Sequence, residues 1–223
     1  MAGVDPAITA GDLRYTRRRY LHEDHLHAAI GQVVNALLRA RHETIWGETT
    51  STCGSDSKKF QAVDQTLLTQ WHARYRGQGV LVYWHVERHS VCIYSQLKHR
   101  ASSEVAAMLE GVLRHCTEMT IKRQMTDSHG QSEVGFAFSH LLGFRLLPRL
   151  KPIHSQRLSV VAVGAQDRYP HLRDILTKPI DWEMIRQQYD QVIKYATALR
   201  IGTADTEAIL RRFTRSNLQH PTY

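Results

Sequence analysis

Apolar residues recur along this chain in two rhythms, and the switches between them mark its elements. In TIKRQMTDSHGQSEVGFAFSHLLGFRLLPRL (Thr120 to Leu150) a short strand pattern delivers Asp127. A helix follows that Ser132 caps, with Val134, Phe138, Leu141 and Leu142 on one face and Gly143 at its end. Phe144 to Leu150 reads as a second strand. The unit is therefore strand, carboxylate turn, helix, strand, and open α/β sheets place ligand sites at such carboxyl ends of strands.

Upstream, residues 1–13 read as a loose lead-in. RYTRRRYL (Arg14 to Leu21) gathers basic residues around Tyr15 and Tyr20, either as a phosphate-facing arm or as a solvated surface whose tyrosines pack inward. From Asp24 to Arg41, Leu26, Ala29, Ile30, Val33, Leu37 and Ala40 form an apolar stripe that predicts a helix. TIWGETTSTCGSDSKKFQAVDQ is rich in Ser, Thr and Gly, so propensity assigns most of it to loop, with a threonine-rich strand as the alternative. Gly79 to Val86 and Val91 to Leu97 are β-branched and aromatic runs around ERHS, the pattern of an antiparallel hairpin. Ser102 or Ser103 then caps a helix with Val105, Met108, Leu109, Val112, Leu113 and Cys116 on one face.

After Leu150 a polar, irregular link runs to about Pro179. Asp181 caps the next helix, whose predicted buried face is Trp182, Ile185, Tyr189, Val192, Ile193, Ala196 and Leu199. Gly202 stops it, and Thr203 caps a shorter helix ending in the basic run Arg211 to Arg215. The order predicts an α/β (α+β) fold: a mixed sheet with flanking helices, preceded by a helix and followed by a helical insertion. It is the order of a ribonuclease-H-like core. The divisions expected are a helical lead-in over 1–45, that core, in part, over 46–152, and a linker with helical insertion over 153–223.

At 223 residues and 42% hydrophobic, the chain can bury a core, which excludes a disordered tail. Lys and Arg outnumber Asp and Glu by 29 to 21, and the net charge of +8 suits a polyanion such as nucleic acid better than a membrane surface. Cys53, Cys92 and Cys116 are widely spaced and form no CxxC, which argues against a disulfide framework or zinc knuckle and for a reducing cytoplasm. With no long apolar run and no basic, apolar leader, the expectation is a soluble, unexported chain.

Two-metal phosphoryl transfer needs carboxylates that converge from different strands, because hard cations take oxygen ligands. Asp56 and Asp127 are the candidates, and each has a plainer reading as a turn or helix cap. His22, His25 and His27 in HEDHLH read as a metal set or, more simply, a solvated helix face. His85 and His89 lie in a strand and turn, without zincin geometry. His129, two residues past Asp127, reads as a phosphate or metal neighbour or as a hydrogen-bonded turn residue. Lys58, Lys59, Arg88, Lys98 and Arg149 flank the proposed site as phosphate contacts or ordinary surface charge.

The strings GSDSKKF, LTQWHARYRGQGVLVYWHVERHSVCIYSQLKHRASSEVAAMLEGVLRHCTEM and TDSHGQSEVGFAFSHLLGFRLLPRLKPI, with WEMIRQQYDQVIKYATALRIGTADTEAILRRFTRSNLQHPTY, resemble the catalytic region of the Tn-three-type transposases of bacterial replicative (class II) transposons. The resemblance runs from about Tyr15 onward. It implies a DDE transposase that uses Mg²⁺, or Mn²⁺ in its place, to nick DNA at transposon ends and join the freed 3′-hydroxyls to target DNA. By motif, Asp56 is similar to the first catalytic, metal-binding aspartate and Asp127 to the second. Lys58, Lys59, Arg88, His129 and Arg149 would contact DNA. Gly54, Gln61, Val63 and Thr66 stand where the family pattern leads one to expect Ala, Gly, Trp and Asn, and none of these removes a carboxylate.

The family's catalytic glutamate is expected on a helix beyond the HPTY motif, where this sequence stops at Tyr223, and Glu183 and Glu207 match non-catalytic motifs. The resulting expectation is a catalytic-domain fragment, inactive alone. The alternative is a non-catalytic remnant that binds DNA or a transposase. The partners implied are transposon-end and target DNA and a homodimer or an assembly with full-length transposase, in the bacterial cytoplasm at the nucleoid, with no membrane.

Overall fold

The computed structural model describes residues 8–47, 51–61, 69–72, 76–99 and 102–214; Val63 and Thr66 lie outside them. Helix α1 (Ala10–Tyr20) begins within the predicted lead-in, because Thr9 and Asp12 cap it reciprocally. The Thr9 amide donates to Asp12 Oδ2 at 2.9 Å, and the Asp12 amide donates to Thr9 Oγ1 at 3.2 Å. Tyr15 and Tyr20 are exposed and meet edge-on at 6.5 Å, so neither packs inward.

Helix α2 (Glu23–Ala40) forms as predicted but turns a different face to the protein. Leu26, Ile30, Val33 and Leu37 are exposed, whereas Gly31 and Val34 are buried and Leu38 packs on the core. Space decides this. A Cβ on Gly31 would lie 2.3 Å from the Cys116 carbonyl oxygen, so the helix approaches closest where it has no side chain.

Past the short α3 (Glu43–Trp46) come β1 (Thr52–Gln61), β2 (Gln70–His72), β3 (Gly77–Glu87), β4 (Cys92–Lys98), α4 (Glu104–Arg114), β5 (Arg123–Thr126), α5 (Glu133–Leu141) and β6 (Arg145–Pro148). The Ser- and Gly-rich stretch assigned mostly to loop contains the central strand. Pairing overrides propensity there: β1 runs antiparallel to β3 from Cys53↔Glu87 to Gln61↔Gly79 and parallel to β5 from Thr52↔Arg123 to Ser55↔Thr126. The hairpin β3–β4 is antiparallel and β5–β6 parallel. The order is β6-β5-β1-β3, with β4 and β2 both paired to β3, which is the mixed ribonuclease-H-like sheet expected.

Along β1, Cys53 and Ser55 are buried while Asp56, Lys58 and Phe60 are exposed, so successive side chains serve opposite faces. Helices α4 and α5 cover the first face. A Cβ on Gly111 of α4 would fall 1.9 Å from His85 Nε2, and that glycine lets the helix lie directly on the His85 ring of β3. Val105, Met108, Leu109, Phe138, Leu142, Phe144 and Leu146 fill the layer between. The predicted caps hold: the Ala106 amide donates to Ser103 Oγ and the Gly135 amide to Ser132 Oγ. Cys116 lies beyond the end of α4 and is exposed, unlike the face it was assigned to.

A two-stranded parallel ladder, β7 (Leu158–Val160) with β8 (Leu176–Pro179), lies inside the stretch read as irregular. Helix α6 (Trp182–Ile201) is capped by Asp181, and α7 (Thr206–Thr214) follows. Ala196, Leu199, Ile209 and Leu210 join the main core, but Trp182, Ile185 and Tyr189 stay exposed, so only the second half of α6 docks. Asp205 rather than Thr203 caps α7, accepting from the Ala208 amide at 2.7 Å. Among the described residues no helix is long and apolar enough to cross a membrane.

Candidate functional site

The last pair of the β1–β5 ladder is Ser55↔Thr126, so Asp56 and Asp127 are the next residues on two adjacent parallel strands. Beneath them lies a buried polar chain: Gln124 Nε2 donates to Ser55 Oγ at 2.7 Å, and Ser55 Oγ shares a hydrogen bond with Tyr83 Oη at 3.0 Å. Burial pushes the Tyr83 phenol well above its ordinary range against the hydrogen bond from Ser55, and the charges of Glu104, Asp56 and Asp127 push it further. Three carboxylates thus act on one hydroxyl.

Asp127 leaves the sheet into a single 3₁₀ turn, Ser128–Gly130, which it caps. The His129 amide donates to Asp127 Oδ1 at 2.8 Å, and the His129 ring Nδ1 lies 2.5 Å from Asp127 Oδ2. The same Nδ1 is 3.8 Å from Glu104 Oε2. Ser57 ties the two sides together, its hydroxyl donating to Glu104 Oε1 at 3.2 Å and its amide to Asp56 Oδ1 at 2.7 Å. Glu104, Asp127 and His129 each offer a ligand atom, all within 4.8 Å of one another. Two carboxylate oxygens and an imidazole nitrogen are a donor set that fits a hard to borderline divalent cation. Asp56 stands outside this close group and faces the open side of the sheet, opposite Trp84 in register. His22, His25 and His27 do not belong to it either: His22 and His25 meet ring to ring at 5.4 Å, and His27 Nε2 lies 3.2 Å from the Ser95 carbonyl.

On that open side a cleft of about 790 Å³ is lined by Asp56, Lys58, Trp84, Arg88, Arg123 and Met125, among others. Of the predicted cations, Lys58 and Arg88 belong to it. Lys59 points to the other face, donating through Nζ to the Gly77 carbonyl at 2.6 Å, and Lys98 Nζ donates to the Ser102 carbonyl at 2.6 Å. Arg149 is exposed just past β6, its amide bonded to the Thr126 carbonyl at 3.0 Å, one residue from Asp127.

Sequence reasoning missed Glu104, Trp84 and Arg123. Trp84 and Arg123 follow only from pairing, which sequence periodicity does not supply. Glu104 carried a weak signal. It sits in the first turn of a helix whose cap, Ser103, is already in place, where an acid is favoured by the helix dipole and looks ordinary.

The chain matches the family described as Tn3 transposase DDE domain over residues 1–223. It is 28% identical over 222 residues to the transposase for transposon Tn2501 of Escherichia coli, covering 95% of this chain and 21% of that protein. With the transposase for transposon Tn1546 of Enterococcus faecium it shares 27% identity over 221 residues, 97% of this chain and 22% of that one. The chain therefore spans about one fifth of the length of the curated relatives it matches. Among solved structures, the catalytic domain of Mos1 mariner transposase aligns with 82% of this chain and 91% of its own length, at 10% identity and a TM-score of 0.32. With the family matched from its first residue to its last, this chain belongs to the Tn3 transposase DDE domain family.

Proposed function

We propose that this chain is the metal-binding part of a longer replicative transposase that nicks DNA at transposon ends and joins the 3′-hydroxyls to target DNA. Asp56 and Asp127 serve as its catalytic carboxylates, with Mg²⁺ as the working ion and Mn²⁺ as its substitute. The observation that carries this reading is the ladder register, which makes the two aspartates neighbours on adjacent strands. Asp56 and Asp127 would hold divalent ions, whose positive charge would activate water or a 3′-hydroxyl and offset the charge that builds on the phosphate.

The chain's own residues do the rest. Asp56 and Asp127 bind from two strands of one rigid sheet, which fixes their separation to within what a packed core allows. Lys58 and Arg88, with Arg123 beside them, hold DNA phosphates along the cleft that Asp56 borders. Arg149 and His129 meet the strand on the Asp127 side, and Lys59 supports the β1–β3 pairing as well as adding charge. Residues 46–152 act as the catalytic core, with residues 1–45 and 153–223 as its helical flanks. Pairing of two such chains on two DNA ends is part of the same proposal.

The test is strand transfer of pre-nicked transposon-end DNA by a full-length family transposase that carries this segment. Asp56→Asn and Asp127→Asn should each lower joining more than about a hundredfold while leaving end binding intact. Joining that persists in both variants would overturn the site. Loss of end binding without any metal-dependent step would leave a DNA-holding role instead.

A further inference from the structure

We infer that Glu104 is a further metal-holding carboxylate of this site, sharing a divalent cation with Asp127 and His129. The inference rests on the reading that Asp127 binds metal, and adds a ligand from a different element. Glu104 is free for the task because the start of α4 is satisfied without it. Ser103 Oγ accepts the Ala106 amide, and the Ser103 amide donates to Glu207 Oε2 at 2.8 Å. The Glu104 carboxylate instead leans to the sheet, where Ser57 Oγ orients one oxygen and the other lies 3.8 Å from His129 Nδ1.

Its position is rigidly set. One turn further along α4, His85 Nε2 and Gln96 Nε2 both lie within hydrogen-bond distance of the Ala107 carbonyl, at 3.3 and 2.6 Å, and Val105, Ala106, Met108 and Leu109 are buried. At 21% exposure the Glu104 side chain is partly shielded yet reachable by an exchanging ion.

The spacing fits. In an octahedral site with ligands about 2.1 Å from the ion, neighbouring ligand atoms stand about 3 Å apart and opposite ones about 4.2 Å. The three side chains already bring ligand atoms within 4.8 Å of one another, close to that octahedral span. Two carboxylates drawn to one point repel unless a cation lies between them, and the nearby Lys98 ammonium offsets part of the Glu104 charge from the helix side. An imidazole in the set favours Mn²⁺ over Mg²⁺ in affinity. A Glu104 that acted on the ion through its charge alone would leave affinity unchanged in Glu104→Asp, which keeps the charge and withdraws the oxygen.

The experiment is a Mn²⁺ titration of this chain, following free aquo-Mn²⁺ by electron paramagnetic resonance. The variants are Glu104→Gln, Glu104→Asp, Asp127→Asn, Asp56→Asn and Glu183→Gln, the last an exposed glutamate on α6. Glu104→Gln and Asp127→Asn should each weaken binding about tenfold or more, as loss of site residues commonly does. Glu104→Asp should fall between, and Glu183→Gln should match the parent. In the parent, Mn²⁺ should also raise the melting temperature, a gain that Glu104→Gln removes. If Glu104→Gln misfolds, Glu104→Asp carries the test, because it keeps the charge and shortens the reach. Unchanged affinity in Glu104→Gln beside a loss in Asp127→Asn would overturn this inference and leave the two-aspartate site standing. Affinity indifferent to Asp56, Asp127 and Glu104 alike would overturn both.

Discussion

The two faces of the sheet differ as sharply as two neighbouring residues of β1. Ser55 looks into a layer sealed by α4 and α5, where its hydroxyl completes a buried chain with Tyr83 and Gln124. Asp56, one residue on, looks onto a cleft bordered by Lys58, Arg88 and Arg123, with Met125 and Leu147 exposed nearby. The sealed face concentrates the interactions that hold the chain together, and the open face keeps charge where a polyanion can reach it. A single strand serves both, because side chains alternate along it.

The sharpest way to break the sealed side is at its rim, where Arg41 Nη1 meets Glu87 Oε2 at 2.8 Å with the carboxylate side chain fully buried. Arg41→Ala should cost about 4 kcal/mol, because it removes the guanidinium from a carboxylate that cannot return to water. Urea denaturation at neutral pH measures it. A loss below about 1 kcal/mol would show that the other partners of Glu87, among them the His89 amide that donates to it at 2.9 Å, are enough.

Much of this division is legible in the sequence, and the exceptions share a cause. Ser103, Ser132 and Asp181 act as caps as predicted, since cap chemistry depends on a few neighbouring residues. The β3–β4 hairpin is equally plain in its β-branched runs. β1 is obscure because GSDSKK has little strand preference, and its partners lie up to about seventy positions away, beyond any local pattern. The stripe on α2 misleads because the spacing of apolar residues says nothing of how close a helix can come, and Gly31 decides that. Of the proposed site, Asp56 and Asp127 are accessible through motif. Glu104 is not, because only the packing of α4 on β3 brings it to the Asp127 turn.

A milder way to sharpen the contrast is acid. Burial pushes His85 down to about 4, with a smaller push from His115, which burial also lowers. The folded state therefore keeps a neutral ring where the unfolded chain binds a proton, and stability rises with pH through that interval. Full stability is present above about pH 6.5 and falls as pH drops toward 4, by on the order of 3 kcal/mol from His85 alone. Denaturant midpoints taken between pH 7 and 4 read it directly. His85→Phe, if it folds, should flatten most of the slope. A slope unchanged in that variant would place the acid sensitivity elsewhere.

The smallest stability effects should come from the open side. Lys58→Ala, Arg88→Ala and Arg123→Ala should each change unfolding free energy by no more than about 0.5 kcal/mol. The same variants should weaken DNA binding, and each should reduce the dependence of log affinity on log salt by about 0.9 for every phosphate left without its cation. Fluorescence anisotropy over a salt series, beside thermal melts, separates the two quantities. A cation whose loss destabilises the fold but leaves the salt slope alone belongs to the sealed side in function, whatever its address.

The double pairing of β1 also limits how this segment can change over evolutionary time. Asp56 is held opposite Trp84 on one side, and Ser55 opposite Thr126 on the other. Inserting or deleting one residue between Cys53 and Asp56 would turn the aspartate toward α4 and send the serine into the cleft, exchanging a buried hydroxyl for a buried carboxylate. Length variation among descendants of this chain should therefore collect outside β1, and any survivor that carries it inside should also carry a bulge that restores the alternation.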